Sequence, residues 1–227
     1  ASASSSATTT GVWNSNFKGV WHLKEDPSLA GANILDSTSN AKHGSTSGAM
    51  TSGQSVAGQI GNALNLTGDD YVTLGSLGAM SGGRTVSMWI NGNSWARTGT
   101  YDNSLYAFNT AAPTGGNTDI VRISTIGEIG YYNGATLLLN DSPVPLNISE
   151  WHYITLVSSS TANASYIYQD GVYVATTSTW APAVGATDVL YAGQETDGTI
   201  ASDFFNGKQD EIRVVNVAQS SRWIRAQ

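Results

Sequence analysis

The sequence predicts an all-β fold, a two-sheet antiparallel β-sandwich that ends in a short C-terminal helix. Apolar and polar residues alternate with a period of two in short segments, which Gly, Asn, Asp or Ser interrupt every ~8–15 residues. Such alternation gives each strand one face to bury, and two facing sheets bury these faces against each other. The 25 glycines, against 5 prolines, fit many tight turns between strands.

The candidate strands are rich in β-branched and aromatic residues, the types that half-buried pleated surfaces favour. In chain order they are 20–24, 71–74, 85–90, 120–123, 128–132, 151–157, 166–168, 172–174 and 210–217. Asp170-Gly171 predicts a tight hairpin, because this pair tolerates the positive φ of a type I′ turn. Residues 77–80 predict a single helical turn, and 218–226 predict the C-terminal helix.

The domain organisation follows from where this pattern begins. Residues 1–10 are all Ala, Ser or Thr, so we expect 1–11 to be a linker or the cut end of a longer protein. No internal repeat and no mid-chain linker divides the series of strands that follows. The sequence therefore predicts one domain over 12–227.

Charge and cysteine content exclude several classes of function. The net charge is −7, from 17 acidic and 10 basic residues, so duplex nucleic acid and anionic membrane surfaces are poor partners. The sequence contains no run of about 18 apolar residues, so no membrane-inserted segment is predicted. The absence of cysteine excludes disulfides, thiolate catalysis and Cys-ligated zinc. Charged residues are only 12% of the chain, so Ser, Thr, Asn and Gly must cover its surface and suit it to neutral ligands.

The flanking segments 10–23 and 219–224 resemble a microbial surface-protein subgroup of laminin-G-like domains. Five internal segments, in order, resemble a laminin-G-like domain of the concanavalin A-like lectin/glucanase superfamily. They are 58–72, 85–90, 150–154, 168–171 and 205–214, and they include the Trp-His pair of 151–152 and the closing strand Gln-Asp-Glu-Ile-Arg of 209–213. The resemblance implies a concanavalin A-like jelly roll. It also implies an extracellular or cell-surface location in a secreted microbial protein with flanking domains in the same chain.

Catalysis is not predicted. Relatives of this fold that hydrolyse glycans carry carboxylates on alternate residues of one strand, so that both face the sugar. That pattern is absent, and the adjacent Asp210 and Glu211 are expected on opposite faces of a regular strand. His22 and His152 have no nucleophile elbow nearby and are expected to bond to neighbouring residues.

A structural Ca²⁺ site is one candidate. The segment 36–40 offers carboxylate, hydroxyl and amide oxygens in a turn-rich stretch, and oxygens are the ligands of calcium. The resemblance implies that such a loop can hold calcium together with an acid of the closing strand, which makes Asp36, Asn40 and Asp210 the candidate ligands. The alternative is an Asx-turn in which Asp36 bonds to its own backbone.

A sugar site in loops is the other candidate. Trp and Tyr, 7 and 10 residues, outnumber the 4 Phe, and these aromatic side chains combine a stacking face with a polar group. Trp95 and Trp180 lie in turn-like segments, where function concentrates on β scaffolds. The predicted ligand-binding residues are Trp95, Arg97, Tyr101, Asn103 and Trp180. The alternative is that the two Trp side chains cap the ends of the core.

Together these observations predict a non-catalytic carbohydrate-binding or adhesion module of a larger extracellular microbial protein. Its partner would be a glycan or another cell-surface ligand, whose identity the sequence does not determine. One alternative is a structural spacer or protein-interaction module without glycan binding. A second alternative is a glycan hydrolase or lyase domain.

Overall fold

The structure, a computed structural model, describes residues 12–47, 49–96, 103–110, 116–133, 136–139, 143–180, 183–197 and 200–227. Its strands are β1 (Phe17–Trp21), β2 (Ser45–Thr46), β3 (Ser55–Ala57), β4 (Asn62–Leu66), β5 (Val72–Ser76), β6 (Gly83–Gly92), β7 (Asn103–Asn109), β8 (Asn117–Ile123), β9 (Ile129–Asn133), β10 (Thr136–Leu139), β11 (His152–Ser159), β12 (Ala164–Gln169), β13 (Val172–Thr176), β14 (Val189–Ala192), β15 (Glu195–Asp197), β16 (Ile200–Ser202) and β17 (Gly207–Val215).

Helical structure is scarce in the described residues. The helix α1 (Ser221–Ile224) lies inside the predicted C-terminal segment and is shorter than predicted. The helical turn predicted at 77–80 is wrong: this stretch is irregular, and Met80 instead forms an isolated bridge with Val184. No helix among the described residues has the length and apolar character needed to cross a bilayer.

The strands form two large antiparallel sheets, as the sequence predicts. The front sheet has eight strands in the order β13-β12-β11-β6-β17-β4-β3, with β1 also paired to β17. The back sheet has seven strands in the order β10-β9-β8-β7-β14-β5-β2. The hairpin β15-β16 stands apart from both. The fold is a two-sheet antiparallel β-sandwich.

The core lies between the two sheets and follows the strand alternation. On β6, Val86, Met88 and Ile90 belong to the buried apolar cluster, whereas Ser87 and Trp89 do not. The residues between them therefore face the other side of the front sheet, which we call the front face. Among the largest fully buried side chains are Trp21 and Phe108.

A buried ion pair joins the two sheets inside this core. Arg84 on β6 and Asp119 on β8 are 2.6 Å apart, and both side chains are fully buried. The hydroxyl of Tyr106 also donates a hydrogen bond to Asp119. A charge in the core requires such partners, and nothing in the sequence near Asp119 indicates them.

The C-terminal segment crosses the front face and leaves part of it open. Trp223 of α1 packs against Phe17, Val20 and Val215, which form a small second apolar cluster. The backbone oxygen of Val217 accepts a hydrogen bond from the hydroxyl of Thr85 on β6. The segment thus covers one end of the front face, and the candidate site lies beside it.

Candidate functional site

A β-bulge in β17 organises the front face. Asp210 pairs with Trp89 of β6 and Arg213 pairs with Ser87, so two residues of β17 lie opposite one residue of β6. Within the bulge, Glu211 has a φ of 54°, in the left-handed region. The expected regular alternation of Asp210 and Glu211 is therefore wrong, because the extra residue changes the parity of the strand.

The bulged Glu211 is held between the side chains of His22 and Arg213. Its Oε1 accepts a hydrogen bond from Nδ1 of His22 at 2.5 Å, and its Oε2 accepts one from Arg213 at 2.8 Å. The Glu211 side chain is 3% exposed, whereas that of His22 is 27% exposed. Burial raises the pKa of Glu211, but the hydrogen bonds from His22 and Arg213 outweigh it and lower that pKa below its ordinary value.

These side chains lie in a surface cavity of about 690 Å³, which we call the front cavity. This volume is within the ~300–1,000 Å³ range of small-molecule sites. Charged groups of both signs, an amide and an exposed aliphatic side chain meet there. The lining residues are His22, Lys24, Ile60, Gly61, Asn62, Glu211 and Arg213.

Asp210 anchors one wall of the front cavity. Its side chain is fully buried, and its Oδ2 accepts a hydrogen bond from the backbone N–H of Ile60 at 2.8 Å. A Cβ at Gly58 would lie 2.6 Å from this same Oδ2, so a larger residue would push the carboxylate and the wall apart. Burial first, and then the charge of Glu211, raise the pKa of Asp210 to about 6, against the hydrogen bonds from the backbone.

The calcium expectation at Asp36, Asn40 and Asp210 stays a prediction, and the arrangement does not fit a cation. Oδ1 of Asp36 accepts hydrogen bonds from the N–H groups of Val20 and Thr38, and Oδ2 accepts from the Thr38 hydroxyl and the N–H of Lys42, all at 2.8–3.0 Å. Four donors thus occupy this carboxylate, as in the Asx-turn alternative. The Asn40 amide donates to the carbonyls of β1.

Nor do the described contacts bring these three residues to one place. Asp210 is bonded to the loop at Ile60, whereas Asp36 is bonded to Val20 and to its own loop. In the part of the chain that the structure describes, no group of three or more His, Cys, Asp or Glu residues is arranged to hold a metal ion.

Of the predicted sugar-binding residues, Trp95 lies at the edge of the core. It is 7% exposed, its Nε1 donates to the carbonyl of Leu146 at 3.0 Å, and its ring lies 6.3 Å from that of Phe205. A Cβ at Gly92 would lie 2.2 Å from the indole, so the ring occupies the space above this glycine. This placement is that of the capping alternative.

The other predicted ligand-binding residues divide into three groups. Asn103 is buried; its amide donates to the carbonyl of Trp95 and its oxygen accepts from the N–H of Asn206. Trp180 is half-buried at the end of the segment that follows β13. Arg97 and Tyr101 lie outside the described residues. Within those residues, no ring contact or hydrogen bond joins Trp180 to Trp95.

The residues that line the front cavity were not predicted from the sequence to form one site. His22 was expected to bond to a neighbour, and it does, but its partner Glu211 is 189 positions away in the chain. His152 likewise bonds to Asp170 at 2.9 Å. The only sequence signal was the acidic pair in the closing strand, and the bulge that directs Glu211 has no glycine to mark it.

Replacement of Trp95 tests its capping role. We expect Trp95→Ala to lower the free energy of unfolding by about 3–5 kcal/mol, because it removes a buried ring and leaves a cavity. Trp180→Ala should cost about 1 kcal/mol or less, since that ring is half-buried. Urea denaturation measures both values, and equal small losses would contradict a capping role for Trp95.

The raised pKa of Asp210 predicts a pH-dependent stability. The folded protein binds this proton more tightly than the unfolded chain, so the contribution of Asp210 is fully present below its unfolded pKa and is lost as pH rises through about 6. Relative to Asp210→Asn, the wild type should therefore lose stability between pH 4 and pH 7, by at most about 3 kcal/mol.

Thermal and urea unfolding of both proteins across this pH range measure the difference. Glu211→Gln is the matched control, because the lowered pKa of Glu211 gives the opposite sign: its contribution is present above its unfolded pKa and lost as pH falls through the folded pKa. A difference between wild type and Asp210→Asn that does not change with pH would refute the assignment.

Solved structures of low sequence identity share this fold. Domain 4 of AbnA, a GH43 extracellular arabinanase from Geobacillus stearothermophilus in complex with arabinotriose, aligns over 93% of this chain and 97% of its own, with 16% identity and a TM-score of 0.66. The CBM40 of Ruminococcus gnavus IT-sialidase bound to α2,3-sialyllactose aligns over 64% of this chain and 82% of its own, with 15% identity and a TM-score of 0.54.

An enzyme structure is also among the similar ones. A mutant Trypanosoma rangeli sialidase with trans-sialidase activity aligns over 92% of this chain at 12% identity and a TM-score of 0.68, but this chain covers only 32% of it. No curated protein sequence matches this chain.

A family model gives the classification. Residues 66–225, more than two thirds of the chain, match the Laminin_G_3 model of the concanavalin A-like lectin/glucanases superfamily. This match confirms the resemblance found in the sequence, and the two-sheet sandwich agrees with it. The chain therefore belongs to the Laminin_G_3 family of the concanavalin A-like lectin/glucanases superfamily.

Proposed function

We propose that this protein is a non-catalytic carbohydrate-binding module whose ligand occupies the front cavity. The observation that carries the proposal is the arrangement around Glu211, a buried carboxylate fixed by His22 and Arg213 at the edge of a solvent-exposed cavity. We further propose that the module belongs to a larger extracellular microbial protein, where it binds or adheres to a glycan.

The lining of the front cavity suits the chemistry of a sugar. Arg213 and Lys24 offer N–H donors, Glu211 offers acceptor oxygens, and Asn62 offers both. Ile60, which is 51% exposed, offers an apolar surface to the C–H groups of a ring. Glu211 and Arg213 are already held in place, so binding would cost little further side-chain entropy.

The same geometry favours binding over catalysis. A glycosidase of the usual kind needs two carboxyl groups that both face the sugar. Asp210 is fully buried behind the wall of the front cavity and bonded to Ile60, so it does not reach the cavity surface. Glu211 is the one carboxylate among the residues that line the cavity, so a second carboxyl group facing the sugar is missing there.

Similar structures support a glycan as the class of ligand. The arabinanase domain 4 was solved with arabinotriose, and the CBM40 was solved with α2,3-sialyllactose. At 16% and 15% identity they support a fold that can carry such sites rather than a specific sugar. Arabino-oligosaccharides and sialyllactose are therefore the first probes to include.

The test is a glycan array followed by calorimetry on the isolated protein. We expect Glu211→Gln to weaken binding of the saccharide found by at least about tenfold, because it removes a charged acceptor and loosens Arg213. Lys24→Ala, at an exposed position, should weaken binding without affecting folding. Glu150→Gln makes the same chemical change at an exposed residue outside the cavity and should bind as the wild type does.

Three results would contradict the proposal. If no saccharide of a broad panel binds, the spacer or protein-interaction alternative gains support. If a saccharide binds equally to wild type, Glu211→Gln and Lys24→Ala, the ligand lies elsewhere on the protein. Turnover of a saccharide would instead support the hydrolase or lyase alternative.

A further inference from the structure

A second, smaller pocket lies on the front face, across Arg213 from the front cavity. Its volume is about 220 Å³, and we call it the aromatic pocket. It combines two aromatic rings with charged and amide side chains of the β12-β13 turn and the C-terminal segment. Its lining residues are Trp89, Tyr153, Asp170, Gly171, Ile224, Arg225 and Gln227.

The floor of the aromatic pocket is a pair of rings. Trp89 of β6 and Tyr153 of β11 are partners in the strand register, and their ring centroids are 5.1 Å apart with the planes at 45°. The hydroxyl of Tyr153 lies beside those of Ser87 and Thr155, and among the described residues these hydroxyls have no partner outside their own group. Three buried hydroxyl groups therefore lie at the aromatic floor of the pocket.

The rim of the aromatic pocket is polar and held in position. The two oxygens of Asp170 accept hydrogen bonds from the N–H of Tyr153 at 2.7 Å and from His152 at 2.9 Å, yet its side chain is 44% exposed. Arg225 and Gln227 are exposed on the other side of the pocket. A carboxylate, a guanidinium and an amide around an aromatic floor can bond to the hydroxyls of a sugar ring stacked on that floor.

Arg213 connects the two pockets. It lines the front cavity, and its guanidinium donates to Oε1 of Gln227, which lines the aromatic pocket, at 2.7 Å. Arg213 lies on β17 and Tyr153 on β11, with β6 between these two strands. Arg213 pairs with Ser87 and Tyr153 pairs with Trp89, so the two positions are two strand spacings apart across the sheet and two residues apart along it. They therefore lie roughly 12 Å apart, near the span of two linked sugar rings.

We propose that the aromatic pocket is a second sugar subsite and that the ligand is an oligosaccharide extending from the front cavity across Arg213 onto Trp89 and Tyr153. This inference rests on the proposed glycan binding at the front cavity and adds the length of the ligand. A monosaccharide would fill one site only. Two or more linked residues would occupy both sites and gain the contact with the aromatic floor.

The experiment is calorimetry with a ladder of linear oligosaccharides from monomer to hexamer, prepared from arabinan, xylan, glucan, mannan and galactan. For wild type we expect the affinity to rise roughly fivefold or more between the monomer and the longer members, as one added aromatic contact allows. Trp89→Ala should keep the affinity for the monomer and lose this gain with length. Arg225→Ala, an exposed change at the rim, should reduce the gain and keep the monomer affinity.

The controls separate this proposal from the proposed function. Tyr191→Ala removes a half-buried ring of β14 in the back sheet and should leave the whole affinity ladder unchanged, and thermal unfolding checks that each variant folds. Equal affinity of wild type for monomer and oligomers, or an unchanged gain in both Trp89→Ala and Arg225→Ala, overturns the second subsite alone. Absence of binding along all five ladders and the glycan array overturns both proposals.

Discussion

The β-bulge at Glu211 is the constraint on which the front face depends. Gln209 and Ile212, three positions apart, both face the core: the Gln209 amide bonds to the carbonyl of Leu105 in the back sheet, and Ile212 belongs to the buried cluster. In a regular strand Glu211 would face the core instead, where a carboxylate without a partner is costly. The extra residue keeps the core apolar and leaves Glu211 to bond with His22 and Arg213.

One strand, β17, consequently organises the proposed binding surface, although other strands and loops supply most of its lining. Asp210 holds the loop at Ile60 as a wall, Glu211 provides the acceptor, and Arg213 connects the front cavity to the aromatic pocket. Strand β17 also lies in the middle of the front sheet, paired with β6, β4 and β1. A rigid central strand keeps these groups in position without a ligand, which favours binding.

The sequence was sufficient for the fold class but not for every strand or for the site, since β7 and β14 of the back sheet are absent from the predicted series. Period-two alternation predicted β6, and Asp170-Gly171 predicted the hairpin between β12 and β13, because both signals are local. The bulge was not predictable, since parity arguments assume a regular strand and Glu211 is not a typical left-handed residue. Pairs distant in sequence, such as Arg84 and Asp119 in the core, were also not predictable, because no local pattern indicates which residues come together. For Trp95 the sequence left capping and ligand contact open, and only burial distinguishes them.

The most direct test of the central claim is an NMR titration of the protein with an oligosaccharide that binds it. The measured quantity is the change in each backbone amide chemical shift. If the front face is the binding surface, the largest changes will lie at 22–24, 60–62 and 211–213, and a longer oligosaccharide will add changes at 89 and 153. Changes confined to the back sheet, or to the segments around Trp95 and Trp180, would contradict the account and place the ligand away from the bulge.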